Sequence, residues 1–531
     1  MQNLLLQIVG VYKKKQHIKE KTFMTETLTH KTFHGLKWSY ISIISTAAMQ
    51  IGYTSIMARL LTPKAFGLMA MGGVIIGLGG YFAEMGLGHA IIQKNILNKN
   101  DIKASFSTSI ILGIFFWLLI YLCAPLAILI FKDSEVVNII RVLGIYFIIN
   151  GFSLTSKSLL RRELNFKALA IIEICSYLTG YIFIGISFAL LGWGVWSLVI
   201  ASLGQQVTSA LISFLIVKHK ISFVPHWNDI KPLFNFGSKI SIISFIQFIS
   251  SNLDTLIIGK ISTPTLLGIY NRASLFVNLP AQYFYTSFSR VLFPAFSRIQ
   301  LDKDKLREIF TNSFTLINII ILPLTIGVVP MAKDIIYILL GPNWTEAIPV
   351  FQVLIITIAF SAVINISGSL IQATGKLRGM FYNEIAYLIL LIGLMLMFST
   401  YGLLGFAIAM TISKFIRLCI YILIIKNNIK PNLYNIFKAL AINAFVGVLI
   451  ACIIFIANHF ITGNNLAFKF ILELIILLIT YVLFLRFIIA RNFAHEFSYL
   501  LMIMSGYFNK NLFLNNILYY LEKKLIIIQQ N

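Results

Sequence analysis

Apolar residues run in long stretches along nearly the whole chain, and the short polar segments between them carry most of the charge. A membrane-spanning helix needs about 20 mostly apolar residues to cross roughly 30 Å of hydrocarbon. On that rule the pattern predicts about fourteen spans. The first six lie at 38–60, 66–92, 106–131, 136–158, 168–191 and 193–217. The next eight lie at 236–259, 266–293, 310–330, 348–373, 380–400, 402–425, 437–461 and 467–489. Loops are short throughout. The 331–347 stretch, with Lys333, Asp334, Gly341, Pro342 and Glu346, reads as a loop with an interfacial turn.

Composition supports a lipid solvent for this apolar excess. The 531 residues are 58% hydrophobic and 12% charged, where an ordinary soluble domain is about 25% charged. The net charge of +24 would suit nucleic acid if it were clustered on a soluble surface, but its placement indicates otherwise. With the N-terminus in the cytoplasm, most Lys and Arg fall in cytoplasmic loops, including Arg161, Arg162, Lys218 and the Lys303–Arg307 cluster. This is the positive-inside asymmetry of a polytopic membrane protein, and it places the C-terminus in the cytoplasm as well. The four cysteines lie in apolar runs without CxxC spacing and read as small packing residues.

Shifting the chain by about 201 residues reveals an internal repeat. Arg59, Thr62-Pro63 and Gly67 align with Lys260, Thr263-Pro264 and Gly268. A slightly larger shift aligns Phe106-Ser-Thr-Ser with Phe310-Thr-Asn-Ser, and Ile171-Ile172-Glu173-Ile174 with Tyr382-Asn383-Glu384-Ile385. The expected fold is therefore an all-α integral membrane protein of two pseudo-repeated six-helix lobes plus two C-terminal helices. The boundaries are a cytoplasmic tail at 1–35, an N-lobe at 36–217, a C-lobe at 218–430, a final helix pair at 431–490 and a second cytoplasmic tail at 491–531. Parallel repeats of this kind place a substrate pathway where the halves meet.

Polar residues within spans are costly and mark such pathways. Ser244, Gln247, Ser251 and Asp254 recur at helical spacing, with Lys239 near the start of the same span. Thr46, Gln50 and Tyr53 occupy the positions matching Gln247, Ser251 and Asp254. Ser and Thr stripes also let helices pack closely, but that explanation leaves the Asp254 carboxylate without a counterpart. Arg141, Arg272, Lys414 and Arg417 are candidate cavity cations, and Glu84 joins Asp254 as a candidate ion-coupling carboxylate. Lys414 and Arg417 have snorkelling to the interface as their alternative role. Interior guanidinium groups hold their charge and grip phosphate bidentately, so this set suits an anionic cargo. The sequence contains no GxxxxGK[ST] and no HExxH. The expectation is no cofactor and no metal, with H+ or Na+ as the candidate coupling ion.

Several stretches resemble the polysaccharide-transport family of the MATE-like flippase superfamily, the Wzx-type O-antigen and exopolysaccharide translocases. They are Leu61-Thr-Pro-Lys-Ala-Phe-Gly-Leu-Met-Ala-Met71, Glu84-Met-Gly-Leu-Gly-His-Ala-Ile-Ile-Gln93 and Leu159-Leu-Arg-Arg-Glu-Leu-Asn-Phe166. The second half adds Asn252-Leu-Asp-Thr-Leu-Ile-Ile-Gly259, Leu267-Gly-Ile-Tyr-Asn-Arg-Ala273, Phe293-Pro-Ala-Phe-Ser-Arg298 and Leu340-Gly-Pro-Asn-Trp344. The resemblance implies an inner-membrane carrier that moves undecaprenyl-diphosphate-linked oligosaccharide from the cytoplasmic to the periplasmic leaflet by rocking two lobes about a cationic cavity. It implies cavity roles for Arg141 and Arg272 and ion coupling at Asp254. It also implies a native start at Met24, with residues 1–23 upstream of it. Expected partners are the bilayer, the lipid-linked glycan and the polysaccharide polymerase and chain-length machinery, without nucleic acid, for a monomer. The competing readings are a drug–cation antiporter of the same superfamily, a membrane polysaccharide polymerase or ligase, and a non-transporting subunit. An antiporter calls for acidic cavity residues, and an enzyme for a large loop with catalytic side chains.

Overall fold

The computed structural model describes residues 35, 37–94, 96–219, 227–461 and 465–486. The expected terminal tails, and with them the Met24 start, lie outside the described residues. Among those described the chain is helical, with no strand. The helices are α1 (Lys37–Leu60), α2 (Pro63–Glu84), α3 (Leu87–Gln93), α4 (Lys99–Cys123), α5 (Ala127–Phe131), α6 (Glu135–Leu143) and α7 (Ile145–Arg162). After α8 (Phe166–Tyr177) a π-helical stretch, Leu178–Gly185, leads into α9 (Ile186–Leu190) and then α10 (Val195–Val217). The second half comprises α11 (Trp227–Ile261), α12 (Pro264–Arg298), α13 (Lys303–Val328), α14 (Ala332–Leu339), α15 (Ala347–Ile355), α16 (Thr357–Ala373), α17 (Leu377–Phe398), α18 (Gly402–Ile429), α19 (Leu433–Phe460) and α20 (Leu466–Phe484).

Eleven described segments are long and apolar enough to cross a membrane. One of them, Arg378–Ile429, contains both α17 and α18, joined by a turn at Ser399–Tyr401. The 35-residue helices α11 and α12 are not among the eleven. Large apolar side chains on one face of α4 (Ile111, Ile114, Phe115, Leu118 and Leu122) are exposed, as lipid-facing residues are. The fold is that of a multi-pass membrane protein.

Short polar segments set the helix ends. Thr263 accepts a hydrogen bond from the Leu266 N–H at 3.3 Å, and Pro264 opens α12 where its missing N–H costs nothing. Asp101 closes a capping box on α4 by accepting from the Asn98 N–H at 2.9 Å, and it also holds Lys94 at 2.7 Å. Asp302 caps α13 through the Lys305 N–H, which holds its carboxyl below the ordinary carboxylate range. Lys132, Lys218 and Lys430 end α5, α10 and α18 in the left-handed region, where a cation also suits the negative helix end.

The chain divides into two compact units. One comprises residues up to Leu61 with Met71–Ile249, and the other Thr62–Ala70 with Ser250 onward. In the first, α4 and α7 approach backbone to backbone: a Cβ at Gly113 would meet the Phe147 carbonyl, and one at Gly151 the Ser109 carbonyl. Ser105 and Thr155 share a buried hydrogen bond of 3.3 Å across the same seam. This close packing of small and hydroxyl residues is a standard way to join helices in lipid. In the second unit Phe296, Phe310 and Phe314 pack with Leu370, Tyr421 and Ile436 in one core drawn from α12, α13, α16, α18 and α19.

Two expectations need correction. The 331–347 stretch is not a plain loop, because α14 forms there with Asp334 and Trp344 buried. The alternation of Ala332, Ile335, Ile336 and Leu339 gives it an apolar helical face despite its short length. The cysteines are free, and three of the four do not pack: Cys123, Cys419 and Cys452 are exposed, while Cys175 is half-buried.

Candidate functional site

The second unit holds a cavity of about 640 Å³. Its described wall comes from α12 (Ser289, Phe293), α16 (Ser361, Ile364, Asn365, Gly368, Ser369, Gln372), Met380 of α17, and α18 (Lys414, Arg417, Tyr421). The helical repeat explains the polar wall. Ser361, Asn365, Ser369 and Gln372 are three or four residues apart and so share one face of α16. The same spacing sets Lys414, Arg417 and Tyr421 on one face of α18.

The two cations are held differently. Lys414 donates to the Thr357 hydroxyl at 3.4 Å. Arg417 makes an ion pair with Glu384 of α17 through Nη2 at 2.5 Å, and its guanidinium lies 4.4 Å from the Tyr387 ring centre. Its Nε is buried with no hydrogen-bond partner among the described residues. Both side chains line the cavity. An anion entering here meets a lysine, a guanidinium and a row of hydroxyls and amides.

Asp254 sits beside this cavity wall in the same unit. Its carboxylate accepts from the Thr255 N–H at 2.7 Å and the Tyr270 hydroxyl at 3.3 Å, and it interacts electrostatically with Lys414. The counterpart missing in the sequence is thus a buried tyrosine on α12 with a cation on α18. On the same helix as Asp254, Ser244 is half-buried while Gln247 and Ser251 are exposed. Ser251 lies 3.3 Å from the Asn252 amide. The side chain of Lys239 lies outside the described residues.

Arg272 is not among the described cavity residues. Its guanidinium lies 4.8 Å from the Phe66 ring centre and donates to Asn271 at 2.8 Å. Phe66 meets the fully buried Trp344 edge-on at 5.5 Å. This group sits one turn from the close contact of Gly67 with the start of α12.

In the first unit Arg141 lies in the last turn of α6 and 4.9 Å from the Tyr121 ring centre, with its Nε buried and unpartnered among the described residues. Glu84 is the last residue of α2. The helix breaks after it at Met85 and Gly86, both at positive φ, so the single span expected at 66–92 is two helices. Glu84 accepts from Asn150 at 2.8 Å. Thr46 returns its hydroxyl to the Ser42 carbonyl at 2.7 Å, while Tyr53 is buried against Tyr177 and Tyr181. Gln50 is half-buried.

Sequence reasoning passed over three charged residues that the fold employs. Lys157 of α7 interacts electrostatically with Glu84 and Glu173, and Glu173 accepts from Ser42. In the sequence Glu173 and Glu384 stand out only as markers of the repeat. The signal for Lys157 was available, since Ser156-Lys157-Ser158-Leu159 matches Ser367-Gly368-Ser369-Leu370. Gly368 leaves open in the second unit the space its lysine counterpart occupies in the first. Conversely, Gly194 and Gly402 both start their helices at positive φ, and counting from them sets Gln206 and Ser209 against Lys414 and Arg417. The two halves therefore carry their cations on different helices.

Comparison with known proteins fits this geometry. A family model described as "Polysaccharide biosynthesis protein" matches residues 56–349. The lipopolysaccharide biosynthesis protein WzxC of Escherichia coli is 27% identical over 357 residues, covering 66% of this chain and 71% of that protein. The succinoglycan biosynthesis transport protein ExoT of Rhizobium meliloti is 25% identical over 339 residues, covering 62% and 67%. Among solved structures, the lipid II flippase MurJ in an inward closed conformation superposes with a TM-score of 0.67 at 16% identity, covering 85% of this chain and 97% of that one. At that identity the likeness speaks for the fold. The chain belongs to the polysaccharide biosynthesis protein family, as a multi-pass membrane transport protein rather than an enzyme.

Proposed function

We propose that the chain is a flippase for polyprenyl-diphosphate-linked oligosaccharide. It carries the glycan from the cytoplasmic to the periplasmic leaflet of a bacterial inner membrane, with both termini in the cytoplasm and about fourteen spans of roughly 20 residues. One observation carries this reading: the cavity that presents Lys414 and Arg417 against the hydroxyl and amide face of α16. Diphosphate is a bidentate anion suited to a guanidinium. Sugar hydroxyls exchange water for Ser, Asn and Gln partners at little net cost, since each hydrogen bond replaces one to water. The names of the relatives, in lipopolysaccharide and succinoglycan biosynthesis, support the same substrate class.

The Arg417–Glu384 pair suits a carrier. A guanidinium with a resident carboxylate binds an incoming phosphate by exchange, so the well is shallower than at a lone cation and the cargo leaves again. Alternating access follows if the loaded and empty cavities favour different conformations, since a ligand shifts an equilibrium only by its differential affinity. Asp254 is the proposed coupling residue, because an H+ or Na+ there changes the charge next to Lys414. The described wall residues include two cations and no carboxylate, which disfavours the drug–cation antiporter. Deleting the protein tests the reading: lipid-linked oligosaccharide should accumulate on the cytoplasmic leaflet, and normal surface polysaccharide in its absence would refute it.

A further inference from the structure

A second charged cluster lies in the same unit but apart from the cavity, where α14, the end of α19 and the start of α20 meet. Lys469, in the first turn of α20, contacts Asp334 of α14 at 2.9 Å and Glu473 of its own helix at 3.7 Å. Asp334 is 3% exposed and Glu473 fully buried. Among the described residues neither carboxylate oxygen of Glu473 has a hydrogen bond, although Asp334 and Asn458 of α19 are its polar neighbours. The Asn458 side-chain oxygen is itself buried and unpartnered among the described residues. Below the cluster lies an apolar layer of Met331, Val446, Ile450, Ile454 and Leu477.

The charges do not balance. Two carboxylates share one ammonium, leaving an excess negative charge among candidate membrane spans, where unpaired charge is strongly disfavoured. Other titratable groups on these helices do not compensate. Lys333 of α14 is exposed and lies over the Tyr337 ring, and His459 of α19 is exposed against Phe460. Adjacent carboxyl groups in such a setting hold one proton between them. That proton also supplies what the Glu473 oxygens lack, an O–H that reaches Asp334 or Asn458.

We infer that Asp334 and Glu473, with Lys469 as counter-ion, form a proton-binding site that fixes α20 against α14 and α19. With the proton bound the cluster is neutral and α20 is docked. When the proton leaves for water, the remaining charge loosens the start of α20. The site does not depend on the cavity or on the identity of its cargo.

The test uses the full-length protein in lipid nanodiscs and follows infrared difference spectra between acidic and alkaline pH. The wild type should show the carbonyl stretch of a buried carboxylic acid. Glu473→Gln, which mimics the protonated side chain, should remove that component and keep wild-type thermal stability at acidic pH. Asp334→Asn should also remove it, because Lys469 then balances an ionised Glu473; a purely structural role for Asp334 gives no such loss. Hydrogen exchange at the start of α20 should rise with pH in the wild type and not in Glu473→Gln. Persistence of the infrared component in both variants, or an exchange response that follows sodium instead of pH, would overturn the assignment.

Discussion

Gly67 of α2 and Gly268 of α12 lie where two helices cross with no room for a side chain. A Cβ at Gly67 would overlap the Pro264 carbonyl, and one at Gly268 the Pro63 carbonyl. These are the same two positions of the Thr-Pro-x-x-x-Gly repeat, so each copy of the motif packs against the other. Proline starts each helix and glycine one turn on admits the partner's first carbonyl. The backbone contact is possible only because both copies keep both residues.

Gly67→Ala or Gly268→Ala should therefore destabilise the protein by ~1–3 kcal/mol, the range for overpacking a tight contact. The check is thermal unfolding of the detergent-solubilised protein. Gly73→Ala, on the same helix with nothing within 4 Å of its would-be Cβ, should leave stability unchanged or slightly raised.

How much of this was legible in the sequence differs from element to element. The apolar spans and the repeat were readable because lipid imposes a long, uniform pattern that local chemistry rarely disguises. The break after Glu84 was not, because Met85 and Gly86 sit inside an apolar run and a positive φ leaves no hydropathy signal. Lys414 and Arg417 were readable as costly charges within a span. The pairing of Arg417 with Glu384 leaves no sequence signal, because an ion pair between helices has no fixed spacing in sequence. For Thr46 and Tyr53 the sequence is silent for a related reason: helical periodicity shows which residues share a face but not whether that face meets water or another helix.

Arg417 separates binding from packing. Arg417→Met strands the Glu384 carboxylate, and with both side chains about one-fifth exposed the cost should be ~1–3 kcal/mol, below the ~3–5 kcal/mol of a fully buried pair. Adding Glu384→Gln should restore stability. Transport should stay impaired in the double variant, as read by export of surface polysaccharide at matched protein levels.

The capping box on α4 should be worth ~1–2 kcal/mol. Asp101→Ala removes its bond to the Asn98 N–H and its pair with Lys94. Hydrogen exchange in the first turn of α4 should rise, with the seam between α4 and α7 unaffected.

Asp302 gives a pH dependence of definite sign. Its carboxyl is held below the ordinary range in the folded state, so its stabilising effect is present above that range and is lost as pH falls through the lowered value. Exchange in the first turn of α13 should rise on acidification, and Asp302→Asn, which keeps a capping oxygen, should flatten the response.

The most direct test of the account is leaflet-specific transport in proteoliposomes. The purified protein is reconstituted with a fluorescent polyprenyl-diphosphate oligosaccharide, and its movement is followed by an impermeant lectin. The wild type should move the lipid between leaflets, Arg417→Met/Glu384→Gln should be at least tenfold slower, and Gly73→Ala should be unaffected. Equal transport by wild type and the double variant, or none by the wild type above protein-free vesicles, would contradict the central claim that this cationic cavity carries a phosphate-bearing lipid.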